Sequence, residues 1–229
     1  MTPEAKTAAT SGNRPRGRRT KDMPDGRQAL LAAATQAFSQ QGYDAADLRG
    51  IAAAAGVSPN LVRVLFGSKA DLWEACLDVI VSEAQPLMDV VTRLAQDTGR
   101  PLHDRLSDII CGLATFYEAH PGVRGFATAH GQEAPERAEL VIQRLLRPAY
   151  ECAHALIVAG IEAGVVRSSH PALFFALVNA AVSQPPSFSA LLSRLAPEID
   201  PGAARIRMIE TVVASLLHPP LDTSFTSQA

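Results

Sequence analysis

Cysteine is scarce in this chain. Its 229 residues hold Cys76, Cys111 and Cys152 only, an odd number, far apart, with no CxxC pair. A disulfide scaffold is thereby excluded, and the thiols are expected to stay reduced. Long apolar runs are missing as well: Ala172 to Val182 is too short to cross a bilayer and contains Asn179. The N-terminus lacks the apolar stretch of a signal peptide, so a cytoplasmic protein without a membrane partner is expected. Alternating β-branched runs, the mark of strands, are absent. So are the P-loop, the GxSxG elbow, HExxH and the dinucleotide GxGxxG, and neither an enzyme nor a cofactor is expected. His103, His120, His130, His154 and Cys111 fall in one region, but no pair has the i, i+4 spacing of two ligands on one helix face, and no metal is expected.

What is present is a globular composition, 47% hydrophobic and 19% charged. Net charge is only −2, yet residues 1–69 carry ten Lys or Arg against five acids, while the rest carries eleven against eighteen. A basic first third on an acidic remainder fits one end that faces a polyanion.

Residues 1–25 are rich in Thr, Ser, Pro, Gly and Arg without apolar periodicity and read as a basic arm, densest at Arg14 to Arg19, with Arg18 and Arg19 as candidates for DNA contact. From Arg27 the pattern becomes helical. Leu30, Ala34, Ala37 and Phe38 share one face of a first helix that ends at Gly42. Asp47 caps a short second helix with Leu48, Ile51, Ala52 and Ala55 inward, and Gly56 supplies a turn. A third helix follows at once, with Ser58 as cap, Pro59 at the first position and Val57 stapled on Val62. Gly67 ends it, and Ser68 with Asp71 caps a long fourth helix over 68–94 that carries Leu72, Trp73, Cys76, Leu77 and Ile80.

Beyond Arg100, prolines at 101, 121, 135, 171 and 201 divide the chain into helices near 101–119, 122–131, 136–164, 171–184 and 203–217. Pro185-Pro186 breaks the fourth of these, with at most a short turn around Leu191 to Leu195. The expected fold is all-α with about nine helices: an arm over 1–25, a three-helix DNA-binding domain over 26–75, a helical domain over 76–218 and a tail over 219–229.

Residues 58–66 meet the need of a DNA reader, a short helix with one face on its own domain and polar side chains on the other. Val62, Leu65 and Phe66 are expected inward. Ser58, Pro59, Asn60, Arg63 and Val64 then face the groove, where Arg63 suits guanine or phosphate and Asn60 an adenine edge. Ser68 and Lys69, at the positive end of the fourth helix, form a phosphate site, and Arg49 on the second helix adds a basic contact.

Arg27 to Ala75, with Gly42-Tyr43, Ile51-Ala52, Gly56-Val57-Ser58 and Phe66-Gly67-Ser68-Lys69 before Leu72, resembles the DNA-binding domain of the TetR/AcrR family of bacterial transcriptional regulators. Two positions depart from that pattern. Arg63 stands where the family usually has Tyr, and Asp47 where Thr or Ser is common, which keeps the cap but sets a negative charge near phosphate. The resemblance implies a ligand-responsive repressor that binds a palindromic operator in double-stranded DNA as a homodimer. It also implies a cavity for a small effector in the C-terminal helices, with Phe116, Tyr117, His120, Phe126, His130 and Tyr150 as candidate contacts. The long fourth helix would join that cavity to the reading helix. The broad apolar faces of 171–184, with Leu173 and Leu177, and of 203–217, with Ile206 and Ile209, independently suggest the dimer surface.

Overall fold

The computed structural model describes residues 26–183 and 186–219, so the basic arm with Arg18 and Arg19 and most of the C-terminal tail lie outside the described residues. All regular structure among the described residues is helical, apart from an isolated bridge between Val166 and Leu217.

Helix α1 (Gly26–Ala45) buries Leu30, Ala34 and Phe38, the face expected, and its regular course ends at Gly42 with φ 77°. Helix α2 (Leu48–Ala54) is capped by Asp47, whose carboxylate accepts from the Gly50 N–H at 2.8 Å. The turn to α3 (Pro59–Phe66) is a Schellman motif: Val57 N–H donates to Ala52 O and Gly56 N–H to Ala53 O, both at 3.0 Å. That geometry requires the positive φ of 66° found at Gly56, where a side chain would be strained. Helix α4 (Lys69–Gln96) opens with a reciprocal capping box between Ser68 and Asp71. Pro86 lies inside it and has no N–H for the Ser82 carbonyl, which loosens the helix midway.

The remaining helices are α5 (Leu102–Ala119), α6 (Pro121–Ala129), α7 (Pro135–Val141), α8 (Arg147–Glu162), α9 (Pro171–Val182), α10 (Pro186–Leu195) and α11 (Pro201–Leu216). Helices α7 and α8 form the single rod expected near 136–164, but with a π turn at Ile142–Leu146 between them. Pro148 explains it: without an N–H for the Arg144 carbonyl, the helix widens just before the ring. Arg144 pairs with Asp78 of α4 at that turn. Helix α10 is a full helix where a short turn was expected, because Pro186 starts it instead of only breaking the chain. Counting α7 and α8 as one rod gives ten helices among the described residues, close to the about nine expected.

The buried residues form one continuous cluster from Leu30 of α1 to Val182 of α9. Helix α4 is its axis, with Leu72, Leu77 and Ile80 fully buried, each contributing about 1.5–3 kcal/mol relative to exposure. Arg105 is the buried charged residue among the described residues; it donates to the Leu94 and Ala95 carbonyls and so closes the end of α4. Helix α6 lies directly on α1. An added Cβ at Gly125 would come within 2.5 Å of Ser39 O and 2.9 Å of Ser39 Cα, so the two backbones touch only because position 125 has no side chain.

Candidate nucleic-acid interface and cavity

Helix α3 is held to α2 and α4 by Val62, which is 2% exposed, with Leu61 and Phe66 packed beside it. Leu65, expected inward, is 38% exposed. Leu61 packs against the core in its place. Ser58, Pro59, Asn60, Arg63 and Val64 are all exposed on the opposite side. Ser58 has extended backbone at the N-cap but makes no side-chain capping bond, so its hydroxyl stays outward. Arg49 of α2 is exposed too, while the Arg27 guanidinium lies over the Phe66 ring at 5.2 Å and ties the start of α1 to the end of α3.

The start of α4 is more complicated than a plain anion site. Asp71 accepts from the Ser68 N–H at 3.0 Å and from its hydroxyl, so an internal carboxylate already occupies part of the positive end. Lys69 is drawn back: its Nζ sits 4.5 Å over the Tyr43 ring and donates to the Asp44 carbonyl at 3.3 Å. Asp47 remains ionised, since N–H groups of Gly50 and Arg49 hold its carboxyl below the ordinary value.

Tyr43 proves to be a junction. The Arg137 guanidinium of α7 covers its other neighbourhood at 3.7 Å, and Trp73 meets it edge-on at 6.5 Å. Its N–H donates to Glu133 at 3.0 Å, and Glu133 in turn accepts from Arg137 at 2.8 Å. Arg137 also reaches Asp44 at 3.6 Å. The end of α1 is thus clipped to the rod formed by α7 and α8.

Farther along that rod, Leu145, Ala149 and Ile157 form one wall of a cavity completed by α4, α5, α6 and α9. Its accessible space is about 80 Å³, and its walls carry no charged side chain. Its polar corner is a pair: the Tyr117 hydroxyl donates to Asn179 Oδ1 at 2.8 Å, and Asn179 Nδ2 donates to Phe175 O at 2.9 Å. Burial pushes the Tyr117 hydroxyl up, so it remains protonated across the neutral range.

Residues 30–76, which hold α2, α3 and most of α1, match the family described as bacterial regulatory proteins, tetR family. That stretch of the chain is similar to the tetR family of bacterial regulators. The chain is 22% identical over 149 residues to YhgD of Bacillus subtilis, an HTH-type transcriptional regulator, covering 65% of this chain and 76% of YhgD. It is 30% identical over 119 residues to the HTH-type transcriptional repressor BdcR of Escherichia coli, covering 51% of this chain and 58% of BdcR. Its fold is that of HlyIIR, a hemolysin II transcriptional regulator, with a TM-score of 0.63 at 15% identity over 85% of this chain and 98% of HlyIIR.

Of the effector candidates, Phe116 and Tyr117 line the cavity. The other four lie outside its wall. His120 stacks on the far side of Phe116 at 4.2 Å, and Phe126 packs on Trp73 at 5.7 Å. His130 is tied to the Ala127 carbonyl, and Tyr150 sits edge-on to Phe175 and His154. The sequence reading missed Asn179, Glu133, Arg137 and the part played by Tyr43. Asn179 was the one to find, as the lone polar residue in the apolar run of α9. Among the described residues no three His, Cys, Asp or Glu gather to hold a metal, and no helix is long and apolar enough to cross a membrane.

Proposed function

We propose that the protein is a homodimeric repressor that reads a palindromic operator with α3 and leaves it when a small apolar molecule enters the cavity. The observation that carries this is α3 itself: a short helix fixed through Val62, with Asn60, Arg63 and Ser58 on one exposed face, inside the region that matches the family. A repressor among its relatives agrees with it. Arg63 takes the place of the usual tyrosine and contacts guanine or phosphate, supported by Arg49 and by the arm residues Arg18 and Arg19. Ser68 and Lys69 reach phosphate once Lys69 leaves Tyr43, a short rotation of a flexible side chain.

Two-fold pairing is supported by apolar side chains that the single chain leaves in water. Leu173 and Leu177 of α9 are 55% and 50% exposed, and Ile206 of α11 is 60% exposed. A self-complementary face of that kind suits a second copy.

Effector and DNA are coupled through two connections. Helix α4 runs from the α3 contact to the cavity wall, where Pro86 sits among the lining residues Ala84, Leu87 and Met88, and the α7–α8 rod runs from the cavity wall to the Tyr43 clip. A ligand that enlarges the cavity favours arrangements in which the two reading helices no longer match successive grooves. A tenfold loss of operator affinity needs about 1.4 kcal/mol of preference for that state.

Sedimentation and DNA titration test the proposal together. The wild type is expected to be a dimer at micromolar concentration whose DNA affinity falls steeply with salt, as phosphate contacts release counterions. Leu177→Glu should yield monomers with weakened DNA binding. A monomeric wild type, or an affinity indifferent to salt, contradicts it.

A further inference from the structure

We propose that the cavity selects uncharged aliphatic molecules bearing one neutral hydrogen-bonding oxygen, such as alcohols, and rejects the corresponding carboxylates and ammonium ions. The inference rests on the reading of this cavity as the effector site and specifies what it admits.

No charged side chain lines the cavity, so an ion that entered it would be buried without a partner, the most unfavourable case for a charge. Two arginines of the surrounding helices make their bonds elsewhere. Arg105 donates through one nitrogen to the α4 carbonyls, and Arg205 is held by Glu118 and the Ala114 carbonyl. Neither lines the cavity.

The polar corner has unused capacity suited to a neutral group. Tyr117 donates to Asn179 Oδ1, and one N–H of Asn179 is used on Phe175 O. What remains is the second amide N–H, a donor, and the lone pairs of the Tyr117 oxygen, an acceptor. A hydroxyl accepts from the first and donates to the second. A carboxylate has no proton for Tyr117, and an ammonium ion has no lone pair for Asn179.

Size favours a chain over a ring. The space of about 80 Å³ is roughly half that of an engineered apolar cavity of about 150 Å³ that admits benzene. A slender alkyl group enters with the least displacement of α5, α8 and α9. Longer molecules spread these helices, which is what the release of DNA requires.

Calorimetry of the full-length protein with octanol, octanoate and octylammonium at neutral pH provides the test. Octanol is expected to bind at least tenfold more tightly than either ion, and Tyr117→Phe and Asn179→Leu should each weaken octanol about fivefold, the effect of one neutral hydrogen bond. Because Asn179→Leu disturbs a partly buried position, the Tyr117→Phe result decides if the other variant does not fold. Either ion binding as tightly as octanol, no binding by any of the three, or octanol binding unchanged in Tyr117→Phe overturns the selectivity. Octanol binding that leaves the DNA complex intact upholds the selectivity and overturns the effector reading instead.

Discussion

The two regions proposed to recognise DNA and effector are built in opposite ways. Helix α3 buries one side chain fully, Val62, and exposes its polar groups, so what it would recognise depends on how rigidly its frame aims them. The cavity has apolar walls and a single polar corner and would recognise by exclusion. Small rotations of the frame therefore change the first, while only changes of volume or polarity change the second. The seam between α1 and α6, the Tyr43 clip and α4 join the two regions.

Breaking the seam should have the largest effect. Gly125→Val places a branched side chain against Ser39 backbone atoms that cannot move aside separately from α1. We expect destabilisation of about 3 kcal/mol, the upper part of the range for overpacking, read as a lower midpoint in urea unfolding. A variant as stable as the wild type would show that α1 and α6 are not held in register.

Removing the reading contact comes next. Arg63→Ala should weaken specific DNA binding by about 1–3 kcal/mol with the fold unchanged, if the guanidinium reads a guanine. An equal loss on random DNA would make Arg63 a phosphate clamp. Unchanged binding on both would remove α3 from the interface.

The clip sharpens the comparison further. Glu133→Ala leaves the Tyr43 N–H without its acceptor and frees Arg137, and should cost about 1–2 kcal/mol in unfolding, the effect of an unsatisfied, largely buried donor. In a double-mutant cycle with Arg137→Ala the two losses should not add. Additive losses would mean that Glu133 and Arg137 act independently.

The smallest effect belongs to Asp47. Its carboxyl is held below the ordinary value by the N–H groups of Gly50 and Arg49, so its stabilisation is present above the unfolded value of about 3.9 and is lost as pH falls through the lower folded value. Asp47→Asn keeps a capping oxygen and removes the charge. The acid limb of the stability profile should flatten, and DNA binding at low salt should tighten slightly. A steeper acid limb would contradict the assignment.

Local chemistry made the DNA-reading end legible in the sequence. The Asp47 cap, the Gly56 turn, Pro59 and the Ser68–Asp71 box each act within a few residues, and each is found as read. Leu65 was misread because periodicity sets it on the same apolar face as Leu61 and Val62, while the packing of neighbouring helices decides which of them is covered. Around the cavity the decisive contacts join residues far apart: Tyr117 to Asn179 across 62 positions and Tyr43 to Glu133 across 90. No periodicity encodes such pairs: Phe116 and Tyr117 share the cavity-facing side of α5, while His120, Phe126, His130 and Tyr150 pack elsewhere. The π turn before Pro148 was missed for a simpler reason. Proline inside a long apolar pattern signals a break, and here the helix absorbed it by widening.

Selection of bound sequences from a random duplex library with the full-length protein tests the central claim most directly. The account predicts an inverted repeat with two equivalent half-sites, and with Arg63→Ala a loss of preference at one symmetric pair of positions while the rest of the repeat persists. Enrichment of no sequence, or of a single half-site without its mirror image, would contradict it.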